Sequence, residues 1–167
     1  MTFFLFLNLW IIPWYHLPKL SCYFINLFSI FGIGEYTFKP FKVGVSGFYK
    51  KLNFCLIKPQ NDNPVILDDT SYYLFFDNLM ECFFTWVILN FPDVKNYLSS
   101  IVFLNAKRPY KKEVLMRLNY AKIIEKCTFR EFQRFYQLHL KKDLKISFNE
   151  SEFNKYKDGL LKSDNWV

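Results

Sequence analysis

Two groups of residues have the types to bind or to react. The first is basic and aromatic: Tyr49, Lys50, Lys51, Lys107, Arg108, Tyr110, Lys111 and Lys112. Lysine and arginine hold phosphates, and arginine can also read guanine edges. Exposed aromatic rings nearby can stack on an unpaired or flipped base. The second is the adjacent pair Asp68 and Asp69. Neighbours on an extended strand point to opposite faces, so the pair is poorly placed to share a metal. One carboxylate capping a turn with the other exposed is the expected arrangement. An exposed carboxylate there can accept from cytosine N4 or from a basic neighbour.

Other chemistry finds little support. Pro92-Asp93 followed by Asn105-Ala106-Lys107 is similar to the P-D…(D/E)-x-K spacing of metal-dependent nucleases. Asn105 stands where the second carboxylate is required, and an acid such as Asp93 is expected in any helix first turn. There is no G-x-S-x-G, and His16 and His139 lie far apart without sequence partners. The four cysteines, Cys22, Cys55, Cys82 and Cys127, form no C-x-x-C pair. No catalytic residue and no metal ligand is therefore expected, and reduced, mostly buried thiols in a cytoplasmic protein are the default.

These side chains need elements to carry them. The chain has 167 residues, enough for one domain with a real core, and 22% of them are aromatic. The formal charge of +7 is unevenly placed: 15 of the 22 Lys and Arg residues lie from Lys107 onward, against 8 of the 15 acidic residues. A basic face favours nucleic acid or an anionic membrane, and a solvated helical tail would give the same composition. Residues 1–26 form an apolar leader. Pro13 and Pro18 interrupt it well short of the ~20 residues that a membrane span needs. It reads as a buried first element, as the atypical start of a chain that has lost an N-terminal domain, or as a membrane-interface segment. The first two readings are preferred, and membrane association is not expected.

The most legible stretch is 42–78. Residues 27–38 suggest a strand, a glycine turn at Gly32-Ile33-Gly34 and a second strand. Residues 41–48 (FKVGVSGF) suit a strand with Lys42 and Gly44 on one face and Val43 and Val45 on the other. Residues 53–58 suit a second strand, 59–64 a turn, and 64–67 a return to the sheet. Residues 72–76 (YYLFF) read as a buried strand. Residues 79–90 have the apolarity of a buried helix. Pro92 opens the next helix at its first turn, and the pair would pack on one face of the sheet. Residues 105–112 form a basic loop. Residues 114–118 suit a short strand or a turn of helix, and 120–127 a helix. Thr128 and Glu131 form a capping box that opens a helix to about residue 140. A last helix, capped by Asn149 or Ser151, is expected to end near Gly159. The expected fold class is α+β: a mixed or antiparallel sheet packed by helices, with a basic helical C-terminal part. The expected divisions are 1–26, 27–120 and 121–167.

Four segments in order carry a resemblance: residues 46–50 (SGFYK), 68–72 (DDTSY), 89–90 (LN) and 106–109 (AKRP). Over roughly residues 28–120 the chain resembles the C-terminal target-recognition region of bacterial adenine-specific (N6) DNA methyltransferases of restriction-modification systems. The resemblance implies sequence-specific binding of double-stranded DNA. Ser46, Tyr49, Asp69 and Thr70 would then lie near the reading surface, with Lys50, Lys51, Lys107 and Arg108 on phosphates or guanine edges. In that family a separate Rossmann-like domain performs the methyl transfer, with an F-x-G-x-G cofactor loop and a [DNS]-P-P-[YFW] catalytic loop. Phe31-Gly32-Ile33-Gly34 has the wrong glycine spacing for the first. Residues 38–41 and 90–93 each lack the paired proline of the second. S-adenosylmethionine is thus expected only through a separate catalytic domain or chain, and this chain reads as a truncated fragment, inactive alone. The alternatives are a metal-dependent restriction nuclease-like protein or a small membrane-associated basic protein.

Overall fold

A computed structural model describes residues 34–142 and 144–162. The expectations for residues 1–33, the apolar leader among them, lie outside the described residues. Three antiparallel strands form a sheet in the order β2-β1-β3: β1 (Phe41–Ser46), β2 (Cys55–Ile57) and β3 (Ser71–Phe76). In register, Val43 faces Leu56 on one side and Leu74 on the other, and Ser46 faces Ser71. Helix α1 (Leu79–Leu89) packs on all three strands, and the architecture is α+β.

The sequence explains α1 directly. Asn78 caps it, its Oδ1 accepting from the Met80 amide at 2.7 Å. Every residue from Cys82 to Asn90 is buried, so the all-round apolar helix is the centre of the core. Thr85 and Asn90 are the polar exceptions. The Thr85 hydroxyl donates to the Glu81 carbonyl at 2.8 Å, and Asn90 is held by three hydrogen bonds. Its Nδ2 donates to the carbonyls of Phe54 (3.0 Å) and Trp86 (2.9 Å), and its Oδ1 accepts from the Phe54 amide. The indole of Trp86 also donates to the Phe54 carbonyl at 2.9 Å. Together they fasten the backbone just ahead of β2 to α1. Pro92 stands at the start of α2 (Pro92–Ser100), which packs on α1.

Beyond the basic loop come α3 (Lys112–Leu115), α4 (Tyr120–Lys126), α5 (Phe129–Phe135) and α6 (Glu150–Lys162). Both halves of the Thr128–Glu131 capping box are formed, and α5 continues through a π-helical turn to Leu140. Asn149 caps α6 reciprocally with Glu152. These helices send Phe132, Tyr136 and Phe153 into the core that holds Phe83 and Phe84. The rings meet edge to face, as at Phe83–Tyr136 (5.1 Å between centroids, 88°).

Four expectations are corrected. Glu35–Phe38 is a turn of 3₁₀ helix, not a strand: the Thr37 hydroxyl accepts from the Gly34 amide and the Thr37 amide donates to the Gly34 carbonyl. Residues 64–67 form no strand. Pro64 lacks a ladder donor, and the segment crosses the sheet face instead. There the Val65 carbonyl accepts from Lys42 Nζ, and Leu67 approaches Gly44. β3 is not buried. Leu74 and Phe75 are about half exposed, because β3 lies at the edge of the sheet, where consecutive apolar residues leave both faces partly open. The last helix runs through Gly159 to Lys162: Gly159 does not adopt the left-handed φ that would end it there.

Candidate nucleic-acid interface

The site grows out of one end of β1. After Ser46 the chain must pass close to the turn that precedes β3. The Gly47 amide donates to the Thr70 carbonyl at 3.0 Å. A Cβ on Gly47 would lie 2.9 Å from the Tyr72 ring and 3.2 Å from the Thr70 carbonyl oxygen, so the approach depends on glycine. The Ser46 hydroxyl accepts from the Phe48 amide and starts the loop that presents Phe48, Tyr49, Lys50 and Lys51. All four of those side chains are exposed.

The neighbouring turn is organised by Asp68. Its Oδ1 accepts from the Thr70 amide (3.2 Å), the Thr70 hydroxyl (2.7 Å) and the Ser71 hydroxyl (3.2 Å). Asp69 is exposed beside it. The pair therefore divides into one turn cap and one exposed carboxylate, because the two residues sit in the turn before β3 and only Asp68 faces its amide and hydroxyls.

The third segment is the basic loop between α2 and α3. Its Arg108 guanidinium lies over the Phe48 ring, 4.6 Å from the centroid. This contact joins the loop carrying Lys107 and Arg108 to the loop carrying Tyr49, Lys50 and Lys51. Lys107 is exposed and Arg108 half-buried. The loop is anchored from below by Tyr110, which is 1% exposed, its hydroxyl 3.0 Å from Ser99 Oγ. Tyr110 is thus part of the core and is unavailable for base stacking, contrary to the sequence expectation. The following Lys111 and Lys112 are exposed at the start of α3.

Two members were missed by sequence reasoning. Phe48 sits inside the SGFYK segment, but its role depends on a partner far along the chain. Lys95, on α2, donates to Asn53 Oδ1 at 3.3 Å. Burial lowers the pKa of its ammonium, and the nearby charge of Lys51 lowers it further. No local motif marks that residue. Among the described residues the one ion pair is Lys39–Asp77 (2.7 Å), so Lys50, Lys51, Lys107 and Arg108 carry charges with no carboxylate partner there.

The remaining candidates are placed differently. Asp93 lies exposed in the first turn of α2, and Asn105 is exposed in the basic loop. Among the described residues no group of three His, Cys, Asp or Glu side chains gathers to hold a metal ion. The His139 ring packs on Phe135. Gly34, the described half of the G-x-G, is covered by Tyr36: a Cβ there would meet that ring at 2.5 Å. No helix among the described residues is long and apolar enough to cross a membrane.

Comparison with known proteins gives one relative. The chain is 44% identical over 92 residues to the Type II methyltransferase M.NspV of Nostoc sp.. The match covers 55% of this chain and 19% of that protein, so the chain spans less than a fifth of the relative's length. No family model matches, and no solved structure matches. The matched part of the chain is related to a Type II methyltransferase.

Proposed function

We propose that this chain is a sequence-specific DNA-binding unit of a restriction-modification adenine DNA methyltransferase. In this reading the end of the sheet where β1 and β3 meet the basic loop faces double-stranded DNA. One observation carries it: the Arg108–Phe48 contact gathers unpaired basic side chains from segments distant in sequence beside the Asp68–Thr70 turn. The relationship to a Type II methyltransferase supports the same reading. Lys50, Lys51 and Lys107 would hold phosphates, and Tyr49, Ser46, Asp69 and Thr70 would lie against the groove. Methyl transfer, with its S-adenosylmethionine, is assigned to a separate catalytic domain or chain.

The test is selection of duplexes by the full chain from a randomised pool at low salt. Enrichment of a defined motif is expected. A chain that retains no duplex would overturn the proposal.

A further inference from the structure

Arginine presents five N–H donors in one plane, and that plane must be held still if its direction is to carry information. Among the described residues the Arg108 guanidinium donates no hydrogen bond and makes no ion pair; its contact is the Phe48 ring. The ring spends no donor. It holds the guanidinium carbon 4.6 Å from the ring centroid while the N–H donors have no hydrogen-bond partner among the described residues. Phe48 is itself 38% exposed, and Pro109 and Tyr110, next to Arg108, are buried. The arginine is thus fixed at its base by the core and at its tip by a ring, at the mouth of the candidate site. The four lysines around it, Lys50, Lys51, Lys107 and Lys111, are exposed and have no such support.

We infer that Arg108 is a specificity-determining residue that takes a paired acceptor, the O6/N7 edge of a guanine, and that Phe48 is its positioning residue. This rests on the DNA-binding reading above and adds a division of labour to it. A phosphate accepts from many directions and needs no held fork, so the flexible lysines suit that task. A guanine edge in the major groove presents two acceptors, O6 and N7, in one plane, and a held planar fork matches both at once.

The experiment compares duplex selection by the parent chain with Arg108→Lys, Phe48→Leu and Phe48→Tyr, each checked for folding by circular dichroism. Arg108→Lys keeps the charge and loses the fork. It is expected to lose roughly 10- to 100-fold of the preference for guanine at one position. Phe48→Leu is expected to relax the same position, and Phe48→Tyr to restore it. If Arg108→Lys keeps the preference, the held guanidinium fork is not what reads the position and the inference is overturned. If Phe48→Leu keeps it while Arg108→Lys does not, the positioning role is overturned. If the parent chain selects no motif, the DNA reading itself fails and this inference fails with it.

Discussion

The amide of Gly47 donates to the carbonyl of Thr70 at 3.0 Å. This bond ties the loop after β1 to the turn before β3, and it sets the distance between Phe48–Lys51 on one side and Asp68–Thr70 on the other. Everything proposed for the site depends on that closeness.

Gly47→Ala tests it. The added methyl must displace the Tyr72 ring or the Thr70 carbonyl. Overpacking of this kind costs about 1–3 kcal/mol. Denaturant unfolding is expected to show a loss in that range, together with weaker duplex binding. A variant as stable as the parent would show that the two segments part easily.

Lys42 supplies a pH prediction. It is fully buried in the centre of the sheet, its Nζ donating to the carbonyls of Lys39 (2.6 Å) and Val65 (2.9 Å). Burial pushes the ammonium below its ordinary lysine value, and the charge of a Cys82 thiolate acts in the opposite sense. The folded state therefore binds this proton less tightly than the unfolded state does. Below the lowered folded value the penalty is constant. Between that value and the ordinary one, the unfolded state holds more proton, so stability rises with pH. Lys42→Met removes the titrating group. Parent stability minus variant stability is expected to climb as pH rises toward the ordinary lysine value. A difference that stays flat to that point contradicts the account.

The thiols give a third prediction. Burial pushes Cys82 up to about 12. Burial, then the charge of Glu131, pushes Cys127 up to about 11, with Lys157 opposing. Both are buried, whereas Cys55 is partly exposed. Only thiolates react quickly with disulfide reagents. At pH 8, mass-mapped labelling should reach Cys82 and Cys127 only at the rate of unfolding. Fast modification of either in the folded chain would contradict the packing of the core that holds them.

What was legible in the sequence was local. The alternation in β1, the apolarity of α1, the proline at the start of α2 and the Thr128–Glu131 box each report spacings of two to four residues. The turn at residues 59–64 was equally plain, and Asn61 and Asp62 adopt the positive φ values it needs (48° and 63°). What was not legible depended on partners distant in the chain. Tyr110 looks like the exposed aromatic of a basic loop until Ser99 and the core claim it. Phe48 looks like the end of a strand until Arg108 lies over it. Lys42 looks like a surface position on an alternating strand, yet the crossing of residues 64–67 buries it. The continuous run in β3 gave no sign that the strand lies at an edge, because apolar runs serve buried and edge strands alike.

The most direct test of the central claim is the salt dependence of duplex binding, measured for the parent chain and for Lys50→Gln/Lys51→Gln/Lys107→Gln. Each phosphate neutralised contributes about −0.9 to the slope of log K against log salt. The parent is expected to show a steep negative slope, and the triple variant one shallower by about 2 to 3. Identical slopes, or no binding by the parent even at low salt, would contradict the assignment of this surface to DNA.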